Sequence, residues 1–401
     1  MSPSISKIAE SPAPPVRYLQ LDALRGLAAL MVVLHHLGVL WQTETQPTSA
    51  AIRAVMSLVF PFGTNAVMLF FVLSGFVLSL PAVAGRPQKY STFVIRRIFR
   101  IYVPYLASLA VAVIGACWLH GMITRSSWFN VSWPGPVDWH LVGQHVLFLG
   151  SYDHSVFNKP IWSLIFEMRI SLLFPLLCAL VLWFRSRWSL AMILVLAAGP
   201  MICERLPFGL TLQYASLFVF GIALARERDR LGALLRRLPR WAKMLIGVVF
   251  LWLFLFAGTP ANWPGHAFQN ALAYVSMWIT ALGAGGLMIV SINWQSCKRV
   301  LLWRPIHFLG EVSYSLYLWH FVVMLYCVHL LYGRLPFPAI LCLCFVASIF
   351  VSWCSYRWIE VPSMNLGRRL SNFPGGFPAR PGASTGSVES PAAALGPRSM
   401  E

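Results

Sequence analysis

The most informative shortage in this sequence is charge. Only 11% of the 401 residues are charged, and 13 Asp and Glu stand against 31 Lys and Arg. A soluble domain carries about 25% charged residues, which cover its surface. Here 58% of the residues are hydrophobic instead. They recur in runs of roughly 17–25 residues, the length at which a helix crosses a bilayer. The composition therefore predicts an all-α, polytopic membrane protein.

Paired cysteines are also missing. The eight Cys are scattered, with no C-x-x-C pair, so we expect neither a structural metal site nor a disulfide framework. The net charge of +18 does not indicate nucleic-acid binding, because the basic residues cluster in short loops beside apolar runs. Membrane topology and anionic lipid explain such loops. We expect membrane lipid, and no nucleic acid, among the partners.

Ten apolar runs are predicted to cross the membrane. They cover residues 20–41, 64–82, 98–120, 161–184, 189–203, 209–225, 244–257, 270–292, 306–332 and 337–357. The runs at 189–203 and 244–257 are short for a span. Most of the basic residues fall on one side of the membrane when the N-terminus is cytoplasmic. The positive-inside rule therefore predicts that both termini are cytoplasmic.

The ends of the chain differ in composition from the apolar region between them. Residues 1–17 are rich in Ser and Pro, and residues 367–401 are rich in Gly, Pro, Ala and Ser. Both segments are predicted to be disordered. Residues 18–366 are predicted to form one ten-helix membrane domain. Its only long outer segment, 121–160, holds three Trp and three His, which could stack against sugars or form an interfacial aromatic belt.

The first predicted span carries polar residues that an anchor does not need. Arg25 and His36 are eleven residues apart, which places them about 20° apart on one helix face and roughly 16 Å apart along the axis. Asp22 precedes Arg25 by three residues and can pair with it. Ionisable groups inside a bilayer cost a few kcal/mol each. They indicate either a functional face or an ion pair near the membrane surface with histidines at a helix contact.

The fourth predicted span carries Glu167 about six residues below its outer end, near the depth predicted for His36. A histidine and a carboxylate at one depth suit a general base and the group that orients it. The alternative is a structural glutamate paired with Arg169 or with a backbone group. The sequence leaves both interpretations open.

Two further sets of polar residues are candidates for a site. Ser313, Tyr317 and His320 recur at helical spacing, which is typical of a cavity lining or of polar packing between membrane helices. Arg97 and Arg100 share a face at the start of the third span. Their guanidinium groups could bind phosphates in bidentate fashion or simply anchor the topology.

Taken together, these segments resemble the acyltransferase family 3 of integral membrane proteins. The matching pieces, in order, are LDALRGLAALMVVLHH, FFVLSGF, RRIFRIYVP, PIWSLIFEMRISLLFP, LGEVSYSLYLWH and RWIEVP. The resemblance implies a multi-pass enzyme of the bacterial inner membrane that takes an acyl group, often acetyl, from cytoplasmic acyl-coenzyme A. The donor is a substrate, so no tightly bound cofactor is expected. The implied acceptor is a hydroxyl of a surface or secreted polysaccharide, a lipid-linked glycan or another glycoside, with a polysaccharide biosynthesis complex as the implied partner.

The resemblance also implies roles for single residues. Arg25 and His36 correspond to the family's functional pair, Arg97 and Arg100 to an arginine pair that we expect to bind the donor phosphates, and Glu167 to a motif carboxylate. We expect His36, oriented by Glu167, to deprotonate the acceptor or to carry the acyl group. The residues expected to line the cavity or to stabilise the oxyanion are Ser313, Tyr317 and His320.

Two other classes of protein fit parts of this pattern. A transporter or flippase for a glycan or lipid would also use intramembrane Arg, His and Glu, for proton coupling. The sequence shows no inverted repeat and no matched pair of broken helices, which such transporters often have. A sensor or assembly scaffold would not need the aligned face of Arg25 and His36. Release of coenzyme A that requires an acceptor would distinguish the enzyme from both.

Overall fold

The computed structural model describes residues 17–45, 49, 62–147, 152–184, 186–199, 208–256 and 266–372, with the backbone alone for 266–274. Most of the two segments predicted to be disordered, residues 1–16 and 373–401, lies outside this part of the chain. The last described helix continues to Asn372, past the predicted start of the tail at residue 367.

Helices make up nearly all of the described residues, and none of those residues forms a strand. In chain order the helices are α1 (Leu19–Thr45), α2 (Gly63–Val83), α3 (Tyr90–Leu119), α4 (Ser127–Asn130), α5 (Trp139–Leu147), α6 (Trp162–Trp183), α7 (Ser186–Ala197), α8 (Gly209–Arg237), α9 (Arg240–Phe256), α10 (His266–Asn293), α11 (Gln295–Leu301), α12 (Arg304–Leu331), α13 (Phe337–Ser355) and α14 (Val361–Asn372). A 3-10 turn at Lys159–Ile161 leads into α6, and a π-helical turn at Tyr356–Glu360 joins α13 to α14. The all-α class is confirmed.

Eight helical segments within the described residues are long and apolar enough to cross a membrane. They match eight of the ten predicted spans, which confirms a polytopic membrane protein. The other two predicted spans, 189–203 and 244–257, correspond to α7 and α9, which have 12 and 17 residues. Both helices end close to residues outside the described ranges, so for these two the crossing of the membrane stays a prediction.

The helix α12 lies at the centre of the part of the fold that holds the candidate residues. It packs against α1, α3 and α13, and 67% of its most apolar window is buried inside the protein. Pro305 stands in its first turn, where a missing backbone N–H removes no helical hydrogen bond. A helix buried on most sides places its polar residues against protein and away from lipid.

The contact between α1 and α12 depends on two glycines. A Cβ atom at Gly26 would lie 2.3 Å from the backbone nitrogen of Gly310, and one at Gly310 would lie 2.7 Å from the carbonyl oxygen of Asp22. Real Cβ atoms do not approach backbone so closely, so only glycine permits this crossing. Small residues at helix crossings are the usual way in which membrane helices approach each other.

A second glycine crossing joins α2 to α8. A Cβ atom at Gly75 would lie 2.1 Å from the carbonyl oxygen of Phe218, and one at Gly221 would lie 2.1 Å from that of Val72. The segment FFVLSGF therefore contributes a close helix contact through its glycine. Each crossing fixes how closely its own two helices approach, α1 with α12 and α2 with α8.

The segment that follows α3 folds into a cap at the end of the helices opposite the starts of α1 and α3. Trp133 is buried, and its backbone has a φ of 54°, a conformation that costs a non-glycine residue about 1 kcal/mol or more. Its N–H donates to Val156 at 3.1 Å, and its carbonyl accepts from Gly121 at 3.0 Å. These bonds hold Trp133 as a core residue of the cap, whereas Trp139 is 67% exposed.

The glycine crossing between α2 and α8 can be tested by one methyl group. We expect Gly221→Ala to destabilise the protein, because backbone on both sides cannot yield to the added Cβ atom, and overpacking costs about 1–3 kcal/mol. The melting temperature in detergent should fall. The matched control is Gly143→Ala in α5, where an added Cβ atom meets nothing within 4 Å and the helix gains up to about 1 kcal/mol. Equal melting temperatures of the two variants would contradict the close crossing.

Candidate functional site

A cavity of about 630 Å³ is lined by residues of α1, α2, α3, α6, α12 and α14 and by the π-helical turn before α14. This volume is within the range of ligand sites for small molecules. Its charged lining consists of six arginines, Arg17, Arg25, Arg96, Arg97, Arg100 and Arg368, and four carboxylates, Asp22, Glu167, Glu311 and Glu360. Since positive charges outnumber negative ones, the cavity favours an anionic ligand.

The cavity collects most of the residues that the sequence singled out. The lining includes Arg25, Arg97, Arg100, Glu167, Ser313 and Tyr317. Two candidates, His36 and His320, do not belong to that lining and form a separate pair further along α1 and α12. The candidate residues thus divide into an arginine-rich cavity and a histidine pair.

The central ion pair of the cavity joins Arg97 on α3 to Glu167 on α6. Their Nη2 and Oε1 atoms are 2.7 Å apart, and the two side chains are 9% and 19% exposed. Arg97 also donates from Nε and Nη2 to the Ser171 hydroxyl, at 3.1 and 2.8 Å, and Ser74 donates to Glu167 at 3.3 Å. The carboxylate therefore belongs to a buried network around Arg97.

This network corrects the expectation that Glu167 orients His36. The hydrogen bonds of Glu167 within the described part of the chain go to Arg97 and Ser74, whereas His36 binds His320. The depth of a residue along its own helix gives its height in the membrane. It does not give the direction in which the side chain points or the helix that it meets, so equal depth did not imply contact.

The arginines of the cavity differ in how much of their hydrogen-bonding capacity the protein uses. Arg25 pairs with Asp22 at 3.0 Å, as the spacing predicted, and Arg97 is held by Glu167 and Ser171. Among the described residues, the side chain that accepts a hydrogen bond from the Arg100 guanidinium is that of Met364, whose thioether sulfur is 3.9 Å from Nη1. Thioether sulfur is a weak acceptor, so Arg100 keeps its donors available for a ligand.

The second part of the site is the pair of His36 on α1 and His320 on α12. The Nδ1 atom of His36 and the Nε2 atom of His320 are 2.9 Å apart, and the rings stack with centroids 5.1 Å apart and planes 15° apart. His320 is fully buried. The Nε2 atom of His36 has no hydrogen-bond partner in the part of the chain that the structure describes, so it can accept a proton or attack a carbon atom.

The cap closes over this pair from the other side. Trp128 on α4 stacks on His36 with centroids 5.7 Å apart and planes 22° apart. The Nζ atom of Lys159 lies 5.3 Å from the centre of the Trp128 ring, within reach of a cation–π interaction. His35, in contrast, points toward the start of α2, where an added Cβ atom at Gly63 would meet its ring at 2.5 Å. Of the adjacent residues His35 and His36, only His36 therefore faces His320.

Two further histidines of the cap carry no charge at neutral pH. Burial lowers the pKa of His145, and a hydrogen bond to the Leu141 carbonyl opposes this in part. Burial is also the main reason that the pKa of His154 is lowered, with Asp153 opposing it and Lys159 adding to it. Neither histidine therefore adds to the positive charge that Lys159 brings above Trp128.

Tyr317 stands between the cavity and the histidine pair. It belongs to the cavity lining, and its ring centroid is 6.2 Å from that of His320. Its hydroxyl donates to the Pro160 carbonyl at 2.7 Å and lies 2.7 Å from the Ser163 hydroxyl. Ser313 donates back to the Gly310 carbonyl at 2.9 Å. These hydroxyl groups are engaged within the protein, so both residues serve as walls of the cavity in this structure.

Two residues near the site, Glu360 of the RWIEVP segment and Lys159, were not among the site residues predicted from the sequence. Glu360 is the last residue of the π-helical turn, is 3% exposed and accepts from Ser315 at 2.7 Å. The sequence gave no sign of that turn, although turns of this kind often occur at functional sites. Lys159 stands at the start of the fourth span, where a basic residue usually marks the membrane interface. Its position above Trp128 depends on the folding of the cap.

The network of Arg97 and Glu167 predicts a specific pattern of stability. We expect Glu167→Gln to lower the melting temperature in detergent, because removing one charge of a buried pair costs about 3–5 kcal/mol. Arg97→Gln should do the same. The double variant should be more stable than the sum of the two losses predicts, since no unpaired charge remains. Simple additivity of the two effects would contradict a direct interaction.

Comparison with known proteins agrees with this arrangement. The family model of the acyltransferase 3 domain matches residues 18–357. A peptidoglycan O-acetyltransferase of Listeria monocytogenes is 22% identical over 85% of this chain and 55% of its own length. A protein of Staphylococcus aureus that is provisionally named an O-acetyltransferase is 24% identical, over 89% of this chain and 59% of its own. A provisionally named peptidoglycan O-acetyltransferase of Bacillus subtilis is 24% identical over 88% of this chain and 56% of its own length.

The chain thus spans less than two thirds of the length of these relatives. No solved structure shows a significant match to it. The family match covers four of the six cavity arginines, the ion pair of Arg97 and Glu167, and both histidines of the pair, whereas Arg17, Glu360 and Arg368 of the cavity lie outside it. The chain belongs to the acyltransferase family 3.

Proposed function

We propose that this protein is a membrane O-acyltransferase that moves an acetyl group from acetyl-coenzyme A to a hydroxyl group of a glycan. The observation that carries the proposal is the arrangement of a cavity with an uncommitted arginine beside a hydrogen-bonded histidine pair. The names of the relatives support acetyl as the acyl group and a glycan as the acceptor. The positive-inside prediction puts the arginine-rich end in the cytoplasm, where acetyl-coenzyme A is made.

The donor would bind at the arginine-rich end of the cavity. Arg100 has donors free for a phosphate group, whereas those of Arg97 are largely occupied by Glu167 and Ser171. We therefore assign phosphate binding to Arg100 and the shaping of the cavity wall to Arg97. The pantetheine arm would extend past Arg25 toward Tyr317. Arg25 and the reacting histidine are roughly 16 Å apart along α1, a distance that an extended pantetheine arm can cover.

The chemistry would take place at Nε2 of His36. This nitrogen accepts the proton of the acceptor hydroxyl while the hydroxyl oxygen attacks the carbonyl carbon of the thioester. The tetrahedral intermediate then collapses, its carbon–sulfur bond breaks, and coenzyme A leaves as a thiolate. The thiolate takes up the proton from the imidazolium of His36. The products are an O-acetyl ester and coenzyme A, and the histidine returns to its neutral form.

The acceptor would approach from the end that carries the cap. His36 lies under Trp128 and next to the cap, so an acceptor on that side need not pass the arginine cavity. A glycan assembled at the outer membrane surface, or a lipid-linked precursor held by a polysaccharide biosynthesis complex, fits this route. The two substrates would then meet from opposite ends of the protein.

The proposal is tested in proteoliposomes that contain the purified protein and acetyl-coenzyme A labelled in the acetyl group. Soluble peptidoglycan fragments and a lipid-linked glycan serve as acceptors. We expect labelled ester on the glycan, and release of coenzyme A that requires the acceptor. Movement of the glycan across the membrane without acetylation would support the transporter alternative and overturn the proposal.

Substitution of the reacting histidine should abolish the transfer. We expect His36→Ala to lower the rate of acetyl transfer by about 10²–10⁴-fold, the usual contribution of a general base, while the melting temperature changes little. His35→Ala is the matched control, because His35 points toward α2, and its rate should fall far less. Equal rates in the two variants would remove His36 from the mechanism.

Arg100 should act on the donor alone. We expect Arg100→Gln to raise the KM for acetyl-coenzyme A by about tenfold to a hundredfold, since a hydrogen bond to a charged group contributes about 1.5–3 kcal/mol. The KM for the acceptor should stay the same. Arg96→Gln is the control: the guanidinium of Arg96 is already bound to Ser371 and Asn372 of α14. A larger effect at Arg96 than at Arg100 would move the donor site toward α14.

A further inference from the structure

The buried side of the histidine pair has a second hydrogen bond that the proposed chemistry does not use. The Nδ1 atom of His320 lies 2.9 Å from the carbonyl oxygen of Leu316, one turn earlier on α12. The Nε2 atom of the same ring lies 2.9 Å from Nδ1 of His36. A continuous chain of hydrogen bonds therefore runs from a backbone carbonyl through one imidazole ring to the next.

The Leu316 carbonyl, the first group in this series of hydrogen bonds, decides which nitrogen donates in each bond. A carbonyl oxygen can only accept, so Nδ1 of His320 carries the proton of that bond. In the neutral ring the remaining nitrogen, Nε2, then has a lone pair and no proton. It can only accept from His36, whose Nδ1 atom must therefore carry a proton. The neutral His36 ring is thus left with its lone pair on Nε2, the nitrogen that has no partner among the described residues.

We propose that His320 is a positioning residue that holds His36 in the tautomer with the proton on Nδ1 and stabilises the imidazolium that forms during transfer. This inference rests on the proposed function, in which Nε2 of His36 takes the acceptor proton. Neutral histidine in water prefers the opposite tautomer, with the proton on Nε2. In that tautomer Nε2 has no free lone pair and cannot act as a base. The pair of His320 and Leu316 replaces the carboxylate that orients the base in a Ser-His-Asp triad.

Among the described residues, the hydrogen-bond partner of His36 is another histidine and not a carboxylate, which fits this arrangement. Glu167, the carboxylate that the sequence assigned to the role, is bound to Arg97. When His36 gains a proton, the lone pair on Nε2 of His320 faces the positive charge. The Leu316 carbonyl dipole points at Nδ1, on the far side of the His320 ring. A neutral acceptor stabilises the imidazolium less than an anion would, and it costs less to bury.

The spacing of the pair is set by the glycine crossing of α1 and α12. His36 follows Gly26 by ten residues, and His320 follows Gly310 by ten residues. The two glycines touch and the two histidines touch, so the helices run parallel and in register. The crossing therefore positions the imidazole rings although they are 284 residues apart in the chain.

Two substitutions of His320 separate this role from simple packing. In His320→Gln the side-chain oxygen can still accept from Nδ1 of His36, so we expect the rate to stay within about tenfold of the wild type. In His320→Leu no acceptor remains, and kcat should fall by about a hundredfold or more, with the KM for acetyl-coenzyme A unchanged. A packing role would predict the reverse order, since Leu suits a buried apolar site better than Gln does.

His329 supplies a matched control on the same helix. Its Nδ1 atom makes the same bond to the carbonyl of the residue four positions earlier, Leu325, at 2.8 Å, and its ring stacks on cap residues away from the pair. We expect His329→Gln to keep the wild-type rate. A loss as large as that of His320→Leu would mean that the carbonyl bond stabilises α12 in general, and it would overturn the positioning role.

The tautomer itself is measured by nitrogen-15 NMR of protein labelled at histidine, in detergent micelles, with the His36 signals identified by their loss in His36→Gln. We expect the proton on Nδ1 in the wild type and in His320→Gln, and on Nε2 in His320→Leu. A wild-type proton on Nε2 overturns the inference, whether or not the protein transfers acetyl groups, and it decides the matter even if His320→Leu does not fold. The expected tautomer in a protein without transferase activity would uphold the positioning and reject the proposed function.

Discussion

The backbone contact between Gly26 and Gly310 is the constraint on which the rest of the site depends. It brings α1 and α12 so close that no Cβ atom fits between them. Two parallel helices held at one point keep a constant register on either side of it. Toward the start of the helices this register places Arg25 at the cavity. Toward their far ends it joins His36 to His320. A single packing contact thus positions both parts of the site.

The cost of burying charge explains which arginines are structural. A charge in a membrane protein interior needs a partner, and the partner occupies its hydrogen-bonding groups. Arg97 has such partners in Glu167 and Ser171, and Arg25 has one in Asp22. Among the described residues, the side-chain hydrogen-bond partner of Arg100 is the Met364 thioether, and the carboxylate of Glu360 balances its charge without a hydrogen bond. This is a tolerable state for a guanidinium group in a cavity that an anion can enter. The sequence showed Arg97 and Arg100 as two equivalent arginines. Their different partners are the reason that the proposal gives phosphate binding to Arg100 and the cavity wall to Arg97.

The histidine pair differs from the charged cavity in the groups that surround it. The ring of His36 is enclosed by His320 on α12 and by Trp128 of the cap. The two rings cover part of the imidazole, which is half-buried. The division into an arginine-rich end and an end with a histidine pair suits the proposed transfer, in which a soluble donor and an acceptor arrive from opposite sides.

The sequence by itself determined the class of fold, eight of the spans, the pairing of Asp22 with Arg25 and the residues that deserved attention. These features depend on composition and on the period of a single helix, which a linear sequence records directly. Only the tertiary structure decided that Glu167 serves Arg97 and that His36 binds His320. The period of a helix gives the height of a residue and the face of the helix on which it lies. Which residue of another helix it contacts depends on how closely the two backbones can approach. That approach depends on glycines far apart in the chain, such as Gly26 and Gly310, which meet only when the helices pack.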